Sequence, residues 1–99
     1  MSNKKIIWSP KAVNSLEQLI DFIEHKWTKK VVDNLLNEIE EAIELIAQNS
    51  KIHPLYSHKK QMRKCVIKRK TLLFYREKSN KIEIVLLIDS RQNPKKYSF

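Results

Sequence analysis

Apolar residues recur at three- and four-residue spacing from Ala12 onward: Ala12, Val13, Leu16, Leu19, Ile20, Ile23 and Trp27. Such a stripe predicts an amphipathic helix. Ser9-Pro10 just before it supplies a start, with the serine as capping hydroxyl and the proline at the first helical position, where its missing N–H forfeits nothing. Thr28 reads as a second cap, and Val31, Val32, Leu35, Leu36, Ile39, Ala42, Ile43, Ile46 and Ala47 repeat the pattern. With so little chain between them, the two helices should form an antiparallel hairpin. Lys29 and Lys30 fall in the first turn of the second helix, where the helix dipole disfavours cations.

Strand signals flank the hairpin. Lys4–Trp8 reads as a short strand ahead of it, and Arg63–Arg69, Leu72–Glu77 and Ile82–Asp89 as three strands after it. The connections around Lys70-Thr71 and Lys78–Lys81 are short enough to enforce antiparallel hairpins. Asn49–Gln61 has no clean period, contains Pro54 and reads as a loop. In the last strand Ile82, Ile84, Leu86 and Ile88 alternate with Glu83, Val85, Leu87 and Asp89. This predicts one helix-covered sheet face, with Leu16, Ile20 and Ile23 packed on the even-numbered isoleucines, and an opposite face that is partly exposed or bound. The order strand, helix, helix, strand, strand, strand defines a two-layer α+β domain: an N-terminal strand and helical hairpin packed on an antiparallel sheet. The N-terminal strand could pair with the first or the last strand of the meander. Residues 1–99 are expected to form one domain, with Asn93–Phe99 a short irregular tail.

Composition narrows the function. The chain has no glycine, which excludes P-loops and dinucleotide fingerprints. Cys65 is the only cysteine, so neither an internal disulfide nor a thiolate zinc cage is available. No apolar run approaches a membrane span, and Met1–Lys5 does not lead into a signal sequence, so the expected location is the cytoplasm. Charge is informative because it is uneven. Residues 1–50 hold six basic and eight acidic side chains, whereas residues 51–81 hold eleven basic and one acidic. A field of that kind draws nucleic acid or an acidic protein segment to one part of the surface.

Several residues are candidates for chemistry. Arg63, Lys64, Lys68, Arg69, Lys70 and Arg76 could line a phosphate-contacting cleft, or simply solvate hairpin ends and guard a sheet edge. Arg91, just past the last strand, could clamp a phosphate and stabilise its charge, or pair with Asp89. As a residue at the solvent edge it is expected to add little to stability. Tyr97 could stack on a base or move a proton, or anchor the tail. His53 and His58 lack neighbouring ligands for a zinc site and a local carboxylate to orient either ring. Cys65, Trp8 and Trp27 read as core residues, and Glu38–Glu44 as a solvated helix face. No cofactor or metal is expected.

Taken in order, Ile7-Trp8-Ser9-Pro10-Lys11-Ala12, the Leu16/Leu19-Ile20/Ile23 helix, the Pro54 loop, Arg63, Leu72-Leu73-Phe74-Tyr75 and Ile84-Val85-Leu86-Leu87-Ile88-Asp89-Ser90-Arg91-Gln92-Asn93-Pro94 resemble the RelE/ParE superfamily of bacterial toxins from type II toxin–antitoxin modules. The resemblance covers roughly residues 4–97. It implies a helical hairpin on an antiparallel sheet and a cognate antitoxin whose acidic or amphipathic segment wraps the toxin.

Two activities are implied by the two branches of that superfamily. The RelE-like branch cleaves mRNA on the ribosome. Carried over, its arginine after the last strand resembles Arg91 and its C-terminal tyrosine Tyr97. Its lysine set falls near Arg63 and Cys65, with Lys64 or Lys68 as substitutes, and its second arginine falls at Leu72. Such an enzyme would need no metal: the ribose 2′-OH attacks the adjacent phosphate, Arg91 and Arg63 stabilise the anion, and Tyr97 or a basic neighbour handles protons. The ParE-like branch inhibits DNA gyrase without hydrolysis and has a longer hairpin, like residues 10–48. A third reading is a small basic nucleic-acid-binding module without toxicity.

Overall fold

A computed structural model describes residues 3–92. Its elements are β1 (Lys5–Trp8), α1 (Pro10–Glu24), α2 (Lys29–Gln48), β2 (Leu55–Ser57), β3 (Met62–Ile67), β4 (Thr71–Lys78) and β5 (Lys81–Asp89). The strands form one sheet in the order β1-β5-β4-β3-β2, with the helices packed on one face. No helix is long and apolar enough to cross a membrane among the described residues.

The start signals act as expected at α1 and only partly at α2. The Ser9 hydroxyl accepts from the Ala12 N–H at 3.0 Å, and Pro10 opens the helix. Thr28 occupies the cap position of α2, but its side chain makes no capping bond; its carbonyl takes the Val31 and Val32 N–H groups instead. Ala12, Leu19 and Ile23 are the buried residues of α1, while Leu16 and Ile20 lie at the border of the core. Trp27 falls outside the core altogether: it sits in the turn between the helices and is 39% exposed.

Three features of the sheet differ from the sequence reading. First, the sheet is mixed. β1 lies beside β5 and runs parallel to it, from Lys5 opposite Lys81 to Trp8 opposite Ile84. Only a tight hairpin forces strands antiparallel, and β1 reaches the sheet through a helical crossover, which permits the parallel sense. Second, the loop at 49–61 contains β2, which pairs with β3 across a register irregularity. Three residues are too few to show alternation.

Third, β5 changes face partway along. Phe74 pairs with Leu86 but Tyr75 with Ile84, so Val85 is an extra residue on the β5 side. A bulge of this kind reverses the side-chain parity beyond it. Ile82 and Ile84 therefore face the helices, and so do Leu87 and Asp89; Leu86 and Ile88 turn to the opposite face and join Met62 and Phe74 in a second, smaller core. The bulge lies where β1 ends and α1 begins, and α1 takes over the work of a neighbouring strand. The Ser9 N–H donates to the Ile84 carbonyl and its hydroxyl to the Val85 carbonyl, at 3.1 and 3.3 Å. The Leu87 N–H donates to Ser15 Oγ at 2.9 Å.

Ser15→Ala should therefore destabilise the fold by about 1–3 kcal/mol, because the N–H of a fully buried residue loses its acceptor. Denaturant titration checks this; a cost below about 0.5 kcal/mol would show that the bond contributes nothing.

Both hairpin turns of the meander are built without glycine. Lys68 and Arg69 have φ of 51 and 70°, and Ser79 and Asn80 have φ of 53 and 61°. Paired left-handed residues suit the twist of flanking strands, but a side chain there is strained by about 1–2 kcal/mol, least for asparagine.

Candidate functional site

The last strand ends in a braced turn. The Asp89 N–H donates to Gln92 Oε1 and the Gln92 N–H returns to the Asp89 carbonyl, both at 2.9 Å. The Ser90 N–H donates to the Lys70 carbonyl at 2.6 Å, tying this turn to the one between β3 and β4. Because the bulge at Val85 directs Asp89 toward the helices, its carboxylate is buried, only 1% exposed, and needs a cation. Arg91 supplies it. Its Nε donates to Oδ1 at 2.8 Å and its Nη2 to Oδ2 at 2.6 Å, and its backbone N–H adds a third bond to Oδ1. The guanidinium carbon also lies over the Trp27 ring, 4.6 Å from its centroid, with the Phe22 ring at 5.8 Å.

Burial alone would push the Asp89 carboxyl up. The Arg91 hydrogen bonds and charge, with a contribution from Lys70, outweigh it and hold the carboxyl below its ordinary value. The same hydrogen bonding raises Arg91. A cleft of 230 Å³ lies against this pair, walled by Ile23, Trp27 and Val31 and rimmed by Lys68 and Lys70.

The other basic candidates are distributed elsewhere. Arg63 lies at the far end of β3 from Lys68, on the helix-facing side with Cys65 and Ile67. Its Nη1 donates to the His53 carbonyl at 2.7 Å, and it lines a polar pocket of 260 Å³ with Ser50, Lys51 and Glu77. The Ser50 hydroxyl bond, with Lys4 and Lys51 nearby, keeps the Glu77 carboxyl low. Lys64 points to the opposite face, where its Nζ sits 5.4 Å over the Tyr56 ring. Tyr97 lies outside the described residues. The structure thus brings Lys68 and Arg91 to one cleft and leaves Arg63 and Lys64 apart from it and from each other. Leu72 borders the second core.

Cys65, Tyr75 and His53 lie in or beside the core. Cys65 is 3% exposed and its thiol is pushed up by burial, which makes a thiolate scarce. Tyr75 is fully buried, donates to the Ser50 carbonyl at 2.8 Å and is pushed up to about 12, chiefly by burial. His53, packed edge-on to Tyr75, is lowered by burial. No group of three metal-ligating side chains converges among the described residues.

A further concave surface, of 660 Å³, runs between the first turns of α1 and the β5 edge. Asn14, Ser15 and Gln18 give it a polar wall and Leu86, Leu87 and Ile88 an apolar floor. The sequence reading missed this groove because it depends on the bulge. It also missed Trp27 as a wall of the Arg91 cleft, a role its place at the very end of the α1 stripe, beyond the helix itself, could have suggested.

The described residues thus form a helical hairpin laid on one face of a small mixed sheet. The family model of the ParE toxin of the type II toxin–antitoxin system, parDE, matches residues 6–94, and the chain belongs to that family. Its fold is similar to that of a chain from the chromosomal ParDE TA system of P. aeruginosa, with a TM-score of 0.73 at 17% sequence identity, over 87% of this chain and 95% of that one. No curated protein matches the sequence.

Proposed function

We propose that this ParE-family protein is the toxin of a toxin–antitoxin pair and that it arrests growth by docking on DNA gyrase, without cleaving RNA. The family match over residues 6–94 carries this reading. The geometry supports it. A metal-free nuclease needs several cationic groups aimed at one phosphate. Here the Arg91 fork is already committed to Asp89, and Arg63 donates to a carbonyl at the other end of β3. An inhibitor that acts by surface contact needs no such convergence.

The partner implied by the family is an antitoxin. Part of the basic 51–81 region, outside the Lys68–Lys70 turn, favours a net-acidic, amphipathic segment, and Val66, half exposed on the face away from the helices, offers it an apolar contact. A 1:1 complex whose interface omits both features would contradict that placement.

Induced expression in bacteria, with plasmid supercoiling and mRNA decay followed in parallel, tests the activity. The expected result is relaxed plasmid with normal mRNA lifetimes. Rapid mRNA decay with unchanged supercoiling would return the account to the nuclease branch.

A further inference from the structure

The two glycine-free turns are not equivalent. Between β4 and β5 the left-handed positions hold Ser79 and Asn80, and asparagine tolerates that conformation well. Between β3 and β4 they hold Lys68 and Arg69, followed by Lys70. Neither lysine nor arginine has a local reason to occupy such a position. All three side chains are exposed, and none makes a hydrogen bond or ion pair among the described residues. Lys70 acts on Asp89 only through space. Three adjacent like charges thus occupy a strained turn that the fold does not use them to hold. Strain retained without a structural return marks a site of contact.

We propose that the Lys68-Arg69-Lys70 turn is a nucleic-acid contact, a convex tip whose cations bind backbone phosphates. Nucleic acid is favoured over an acidic peptide by the shape and by the backbone. A peptide needs a groove or an open strand edge. The turn offers no open strand edge, because Ile67 pairs with Thr71 across its base and the Lys70 carbonyl is taken by the Ser90 N–H, and the cleft that Lys68 and Lys70 rim lies behind the tip rather than along it. A phosphodiester backbone carries closely spaced charges on its outside, so a protruding cation cluster reaches several of them at once. Arg91 behind the tip is not part of the contact, since Asp89 holds its fork. The competing occupant is an acidic peptide with an apolar side chain seated in the Trp27 cleft that Lys68 and Lys70 rim. The inference goes beyond the gyrase reading and does not depend on it.

The test uses the full chain, a short fluorescein-labelled DNA duplex and a salt titration. It compares the parent with Lys68→Asn/Arg69→Gly, and with Lys29→Gln/Lys30→Gln as a control that removes the same charge from α2. The turn variant should bind the duplex at least roughly tenfold more weakly, with a salt slope shallower by about two. Its Tm should rise by about 4–8 °C as the left-handed strain is relieved, and the control should leave affinity and salt slope close to the parent's, whatever relief of the helix dipole does to its Tm. Parent-like affinity and slope in the turn variant would overturn the proposal. So would equal weakening by the control, a fall in the turn variant's Tm, or a parent that binds polyglutamate at low salt but not the duplex.

Discussion

Arg91→Ala should destabilise the protein by about 2–3 kcal/mol and reverse the pH dependence at its acid end. The cost is below the roughly 3–5 kcal/mol of a fully buried pair, because the outer part of the guanidinium is solvated. It is still far above that of an ordinary surface arginine, because the carboxylate left behind is buried. This departs from the sequence expectation of a solvent-edge residue that contributes little to stability. In the parent, the Asp89 carboxyl is held below its ordinary value of about 3.9. The unfolded chain therefore binds the proton more readily, and the stability from this pair is complete above about pH 4 and lost as pH falls through the native value. Without Arg91, burial dominates and the carboxyl is raised. Stability is then best below about pH 4 and declines as pH rises toward neutrality. Urea titrations of both proteins from pH 3 to 7 would show opposite slopes. Parallel slopes would mean that Arg91 does not neutralise Asp89. The result also governs toxicity assays: loss of growth arrest in Arg91→Ala is informative only beside its measured stability.

Ile84→Ala should be the more damaging change, at about 3–4 kcal/mol. Ile84 is fully buried, in register with Trp8 on β1 and Tyr75 on β4, and is the last residue before the bulge. Strands on both sides keep the site from collapsing, so the cavity term stays large. For a chain of 99 residues that is a large share of the roughly 5–15 kcal/mol available. Val66→Ala is the comparison: at 50% exposed it should cost under about 0.5 kcal/mol. Similar denaturation midpoints for the two variants would put the core in the wrong place.

The periodic parts of this fold were legible because each reports a face. The stripes of α1 and α2, the Ser9-Pro10 start and the three long strands all appear close to where the spacing puts them. What escaped was whatever breaks a period. One inserted residue, Val85, sends Leu87 and Asp89 to the helix side and Leu86 and Ile88 away, and alternation along a single strand carries no trace of that. β2 was invisible because it spans three residues, and the partner and direction of β1 depend on contacts across the whole chain. At the site, the Asp89–Arg91 pairing, one of two sequence readings of Arg91, is present. The shared cleft of Lys68 and Arg91 was not legible, since it requires two turns far apart in sequence to meet through the Ser90–Lys70 hydrogen bond.

Growth arrest by binding gyrase, as proposed, can be tested with purified components. The most direct measurement adds the purified chain to purified DNA gyrase and relaxed plasmid and follows ATP-dependent supercoiling, with translating ribosomes assayed alongside for mRNA cleavage. The account predicts that supercoiling falls as the chain approaches stoichiometry with gyrase, while ribosome-bound mRNA stays intact. Unimpeded supercoiling together with cut mRNA would contradict it.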